Sequence, residues 1–201
     1  MINQKMVQFA HAVCFFTVLN LLWLLGSLLG LGVFGVMPAT VALFSVIRAK
    51  LRGDQELQLV PAFFDAYKTA FVRSNVLGLF FGLGFYVLYV NAAFATYFYE
   101  KDVQFFIYLV VFFFAAIMTL AFINLFSIMA HFEMKTIQYV KVAIGLVFIH
   151  PLKTVMQFIW LVAYVLLAIF LPKVFLVVGV SVISYVWMSQ NLTTFTKKYA
   201  S

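Results

Sequence analysis

The chain has a single cysteine, only six acidic residues, and long tracts with no charged residue at all. A lone cysteine excludes a disulfide framework. Cys14, flanked by Val13 with His11 close by, does not sit in a lipoprotein cleavage box. No small-residue signal-peptidase site follows the first apolar block, so the N-terminus is expected to be retained. The sequence also lacks a Ser-His-Asp set, an HExxH helix, a phosphate-binding loop, a CxxC pair and a nucleotide-binding cassette motif. Each of these supplies a particular chemistry. Without them the chain is expected to be no enzyme, to carry no cofactor or metal, and to be unable to power transport alone.

Charge is what the sequence withholds most. Residues 6–47, 74–99, 103–132, 154–172 and 174–196 contain no Asp, Glu, Lys or Arg, and together they make up 140 of 201 residues. A charge at the centre of a bilayer costs roughly 2.5–3.5 kcal/mol even on lenient insertion scales. A helix of about 20 apolar residues crosses a hydrocarbon core of roughly 30 Å, so each window holds at least one span. The longest charge-bearing segment, 48–73, is 26 residues, too short for a soluble domain. Residues 1–201 therefore read as a single integral membrane domain, an all-α polytopic bundle. A net charge of +7 suggests nucleic acid in a soluble protein; here it belongs to the positive-inside rule, and no nucleic-acid partner is expected.

The basic residues set the topology. Arg48, Lys50, Arg52, Lys68 and Arg73 fall in one loop region, Lys135, Lys141 and Lys153 in another, and Lys197 and Lys198 at the C-terminus. Placing these in the cytoplasm puts residues 99–103 and Lys173 outside. The block 9–47 is too long for one straight helix and is interrupted by Gly30, Gly32, Gly35 and Pro38, read as a helix break. A hairpin of spans at about 9–30 and 37–50 places eleven of thirteen basic residues inside. That gives six helices, with both termini cytoplasmic in the cell membrane; a single span over residues 9–36 would give five. A faint repeat favours six: Leu43-Phe44-Ser45-Val46-Ile47 reads like Leu125-Phe126-Ser127-Ile128-Met129, each followed by a basic loop and a further span.

Interfacial cytoplasmic helices are expected near 57–73 and 133–150. In the first, Val60, Phe63, Phe64, Tyr67 and Phe71 recur at helical spacing, Asp65, Lys68, Thr69 and Arg73 lie on another side, and Pro61 suits a first turn. Such a face rests on lipid or docks a partner, with Phe63, Phe64 and Tyr67 as anchors and Arg48, Arg52, Lys68 and Arg73 meeting phosphates or acidic side chains. In the second, Ile137, Val140, Ile144 and Val147 oppose Lys135, Gln138 and Lys141, and Pro151 opens the next span. Asn20, Asn91 and Asn124 are expected deep in spans as packing amides, and Gly26/Gly30 and Gly78/Gly82 have the spacing of close helix contacts. His131 and Glu133, two apart on a helix, cannot both face one metal, and a site would need His150 from across a loop.

The order of these features resembles the YesL-like family of small bacterial membrane proteins. The run Leu19-Asn20-Leu21-Leu22-Trp23, then Leu28-Leu29-Gly30-Leu31 and Phe34-Gly35-Val36-Met37-Pro38-Ala39-Thr40-Val41-Ala42-Leu43-Phe44, looks like its opening. Arg48 to Asp54, the aromatic loop of Phe63-Phe64, Tyr67-Lys68 and Phe71, and later His131-Phe132-Glu133, Gln138-Tyr139-Val140-Lys141 and Pro151-Leu152-Lys153-Thr154 continue the likeness; Lys135-Thr136-Ile137 departs from a more aromatic pattern. The resemblance implies no established activity. It does imply a setting, since such proteins are frequently encoded beside carbohydrate ABC importers and glycan-degrading enzymes. An accessory or regulatory membrane subunit of a sugar importer, in contact with membrane lipids, is the expected role. A small autonomous transporter and a structural or lipid-organising protein are the alternatives.

Overall fold

The computed structural model of the chain describes residues 2–54, 56–175 and 179–199. Helices follow one another as α1 (Ile2–Leu29), α2 (Val33–Leu51), α3 (Leu59–Phe98), α4 (Lys101–His131), α5 (Thr136–Ile149), α6 (Pro151–Phe170), the single turn α7 (Pro172–Val174) and α8 (Val180–Tyr199). No strand occurs among the described residues. Among the described residues, five helices are long and apolar enough to cross a membrane: Met6–Leu29 within α1, then α2, α3, α4 and α6. The chain is a multi-pass helical membrane protein.

These five are not those of the single-span alternative, because residues 9–36 form a hairpin. The expected sixth span, 174–196, corresponds to α8, which carries Ser181, Ser184, Asn191 and Thr194. Those four side chains are buried, which is why the helix tolerates them: it is surrounded largely by protein. Leu176, Val177 and Val178 of that window lie outside the described residues.

The hairpin turn is compact. Gly32 N–H bonds Ser27 O at 2.9 Å and Leu31 N–H bonds Leu28 O at 3.0 Å, the pair of bonds that closes a helix C-terminus on a left-handed residue. That residue is Leu31, at φ 58°, followed by Gly32 at φ 76°. A Cβ on Gly30 would lie 2.2 Å from Gly35 Cα, and one on Gly35 would lie 2.2 Å from Ser27 O, so only hydrogen lets the two helices meet here. Gly30 and Gly32 therefore mark the break. Gly35 and Pro38 do not, since both lie within α2.

Helix α2 is the axis of the bundle. Its Ala39, Ala42, Leu43, Phe44, Val46 and Ile47 are buried among Leu19 and Leu22 of α1, Phe63 and Tyr67 of α3, Ile123 and Phe126 of α4, and Trp187 and Met188 of α8. The two repeat segments pack on one another, with the Phe44 and Phe126 rings at equivalent positions and 5.9 Å apart. Gly26 is pressed against Ala39 and Phe63, and Gly78 against Met37. Gly82 has no heavy atom within 4 Å of the position a Cβ would take, so it is not a packing glycine as its spacing suggested.

The segment 57–73 is not a separate interfacial helix. It forms the first turns of α3, a continuous helix of 40 residues, because nothing between Pro61 and Phe98 interrupts the backbone. At 1.5 Å per residue this runs about 60 Å, roughly twice the hydrocarbon thickness. Pro61 sits in the first turn, as its missing N–H requires. The second expected helix is separate, as α5, but its packed face is Tyr139, Ala143 and Val147 against Leu125 and Ile128 of α4. Of the expected stripe, Val147 is buried and Val140 half-buried, whereas Ile137 and Ile144 are exposed, because the side of α5 that fits α4 runs through Tyr139, Ala143 and Val147.

Candidate functional site

Three charge-free windows end at Arg48, Arg73 and Glu133. The fold gathers these residues around one cleft of about 480 Å³. Its walls are the last turns of α2, the first turns of α3, the end of α4 and Tyr139 of α5. On α3 the alanines at 62, 66 and 70 repeat every four residues and form a low floor, while Asp65, Thr69 and Arg73 flank it. Ser45 and Arg48 of α2 face them, with His131 and Glu133 closing the third side.

The cationic groups are held by specific contacts. Arg52 Nη2 lies 3.4 Å from His131 Nε2. A guanidinium can only donate, so the imidazole nitrogen accepts. His131 is packed between the Phe132 and Phe195 rings, at 4.5 and 4.8 Å. Tyr139 Oη donates to Phe132 O at 2.8 Å and accepts from Met134 N–H at 3.1 Å, fixing the turn after α4. Arg73 Nη1 reaches the same hydroxyl at 3.4 Å, with its guanidinium 5.9 Å from the Tyr139 ring centre. Arg48 Nε and His131 Nδ1 are buried without a hydrogen-bond partner. No ion pair joins Arg48 or Arg73 to Asp65 or Glu133 among the described residues. The cleft carries charges of both signs and holds two buried nitrogens without a partner.

Of the partner-docking candidates, the structure brings Arg48 and Arg73 into this cleft and sets Arg52 against its His131. Phe63 and Tyr67 are not surface anchors. Phe63 is fully buried and Tyr67 is 8% exposed, both within the core that also holds Leu22 and Ala39, where the first turns of α3 carry them. Phe64 is half-buried against the same core, and Lys68 is exposed outside the cleft.

A second polar cluster lies deeper in the bundle. Asn124 Oδ1 accepts from Gln157 Nε2 at 2.8 Å and from Asn191 Nδ2 at 2.9 Å, and Gln157 Nε2 also lies 3.2 Å from Asn191 Oδ1. The triad ties α4, α6 and α8. Nearby, Lys153 Nζ donates to Thr193 Oγ1 at 2.8 Å, to Gln190 O at 3.2 Å and to Thr194 Oγ1. Asn20 and Asn124 are buried as expected. Asn91 is not; it is exposed and donates to its own helix, to Val87 O at 2.8 Å. Gln157 and Asn191 were missed although each is a carboxamide in a charge-free window, the signal that singled out Asn124.

The uncharacterized protein YteU of Bacillus subtilis strain 168 is 34% identical over 186 residues, covering 92% of this chain and 82% of that protein. The chain belongs to the YesL-like family. A family profile described as a protein of unknown function, DUF624, matches residues 16–92. In the YesL-like fold described here that stretch holds the hairpin turn, Pro38 and the α2 and α3 walls of the cleft. The uncharacterized protein YesL of the same organism is 31% identical over 141 residues, 69% of this chain and 65% of YesL. The uncharacterized protein YesV matches over 73 residues at 41% identity, 36% of this chain and 35% of its own. No solved structure matches.

Proposed function

We propose that this YesL-like protein is a non-enzymatic accessory or regulatory membrane subunit of a carbohydrate ABC importer, acting by contact in and under the membrane. The observation that carries this reading is the closed centre of the bundle. Its deep carboxamides, Asn124, Gln157 and Asn191, are bonded to one another rather than arranged along a path. What the chain offers a neighbour is surface. Helix α6 buries only Gln157 and turns Phe158 and Trp160 outward, and the outer halves of α3 and α4 expose Tyr86, Phe94, Phe105 and Phe112. In lipid such faces are solvated as well as in protein, so shape and interhelical bonds decide whether a neighbour binds.

The segments around 48–73 and 131–153 lie at one end of the bundle, as the Arg52–His131 contact requires. With that end cytoplasmic, both termini are cytoplasmic too. Single cysteines at positions 58 and 135 should be shielded from an impermeant reagent in intact cells and react in inverted membranes. Affinity purification of the tagged protein from native membranes tests the role: importer subunits should be retained, and their absence under mild solubilisation rejects it.

One observation favours an autonomous transporter: the contact of Phe44 with its repeat-equivalent Phe126, as expected of paired internal repeats. Solute flux into vesicles containing only this protein is its test.

A further inference from the structure

We propose that the cleft between α2, α3 and α4 binds a phosphate group carrying a neighbouring ammonium, the chemistry of a phosphoethanolamine headgroup. This goes beyond the importer reading and does not depend on it. The first argument is position. Arg48, Arg73 and Glu133 are the residues at which three charge-free windows stop, so the cleft lies at the level where a bilayer's own phosphates lie. The second is size, since about 480 Å³ admits a headgroup but not a folded segment of another protein.

The third argument is chemistry. Arg48 and His131 line the cleft, and Arg48 Nε and His131 Nδ1 are buried there with no hydrogen-bond partner. Arg73 is steadied from behind by the Tyr139 hydroxyl at 3.4 Å, leaving the rest of its planar fork for a ligand. Guanidinium groups bind phosphate oxygens in pairs, and these bonds strengthen away from bulk water. Asp65 and Glu133, also in the lining, are exposed and not ion-paired with these arginines. A purely anionic ligand would be repelled by both carboxylates. A ligand with an ammonium a few ångströms from its phosphate satisfies both signs at once. A trimethylated ammonium carries the charge but has no N–H to donate, so it holds the carboxylates less tightly.

The test uses the full chain in detergent, with phosphatidylethanolamine, phosphatidylglycerol or phosphatidylcholine added and retention read by native mass spectrometry and thermal shift. Phosphatidylethanolamine should be held at least about tenfold more tightly than phosphatidylcholine, the scale of one or two charge-assisted bonds. Arg48→Gln should abolish retention. Because Arg48 is partly buried, Arg73→Gln and the exposed pair Asp65→Asn with Glu133→Gln provide independent variants. The first should weaken every phospholipid, and the pair should erase the preference for ethanolamine over choline while leaving phosphate binding. Competition by free phosphoethanolamine at millimolar concentration assigns a soluble source, and failure to compete beside retained lipid assigns the membrane. Equal retention of ethanolamine and choline lipids overturns the proposal. So does an unchanged preference in the carboxamide pair, or saturation by a polyglutamate peptide while neither lipid nor phosphoethanolamine binds.

Discussion

The side-chain amide of Asn75 on α3 takes the place of the backbone N–H that Pro38 lacks on α2. In a regular helix residue 38 would donate to the carbonyl of Phe34; proline cannot, and Asn75 Nδ2 donates to Phe34 O instead, at 2.9 Å. The same nitrogen donates to Phe71 O at 2.8 Å, so one carboxamide joins the two helices. This explains how Pro38 is tolerated well inside α2 without ending it.

The relationship predicts non-additive stability. Asn75→Leu strands the Phe34 carbonyl and should lower stability by about 1–2 kcal/mol. Pro38→Ala restores a helical donor, and in that background Asn75→Leu should have less than half the effect. Unfolding of the four proteins in detergent gives the coupling directly. Equal losses in both backgrounds would show that Asn75 does not serve Phe34.

At the hairpin turn the left-handed position is held by Leu31, at φ 58° and 87% exposed, so its side chain gains nothing from packing there. Leu31→Gly should stabilise the protein by about 1 kcal/mol by removing the Cβ penalty. The check is a raised midpoint in the same unfolding assay, with an unchanged or lowered midpoint counting against the turn geometry.

The glycines of the two small-residue pairs and the turn separate by position. Gly35→Ala places a methyl 2.2 Å from Ser27 O, which only parting of α1 from α2 can relieve, whereas Gly82→Ala meets nothing within 4 Å. We expect Gly35→Ala to give little folded protein on size-exclusion chromatography. Gly82→Ala should be indistinguishable from the parent or slightly more stable, by up to about 1 kcal/mol from helix propensity.

The membrane class, the hairpin and the end of the bundle to which each basic segment belongs were legible because charge exclusion is a one-dimensional property. Which face of a helix finds a protein neighbour is not. Residues 57–73 carry an aromatic stripe that reads equally well as lipid-facing, partner-facing or buried, and only the fusion to α3 decides that Phe63 and Tyr67 point into the bundle. Helix α5 shows the same limit, with its packed face offset from its most hydrophobic one. The cleft was half visible, in Arg48, Arg52 and Arg73. Its other half, His131 and Glu133, comes from the end of α4 and the turn after it, brought to Arg48 and to Asp65 of α3 only by the packing of α4 on α2 and α3. Gln157 and Asn191 could have been found by treating every carboxamide in a charge-free window alike.

The deep triad carries its own prediction. Replacing Gln157 with Leu leaves Asn124 Oδ1 with Asn191 alone and should destabilise by about 0.6–2 kcal/mol, the range for interhelical polar contacts in membranes. Replacing Asn124 should do more, since it accepts from both partners. The ranking is read from detergent unfolding; a larger effect at Gln157 than at Asn124 would contradict the geometry.

Phe63 distinguishes a core from an interface. It is fully buried, packs against the Gly26 backbone position of α1, and meets the Phe64 ring edge-on at 5.6 Å between centres. Phe63→Ala should therefore lower intrinsic stability by about 3 kcal/mol in purified protein with no partner present. Lys68→Ala, one turn away and exposed, should change it by less than about 0.5 kcal/mol. Any loss of partner retention in the Phe63 variant should then follow loss of folded protein rather than precede it, which limited proteolysis run beside the pull-down will show. A Phe63→Ala protein that keeps the parent's stability yet no longer retains its neighbour would mean that the first turns of α3 turn their aromatic side outward.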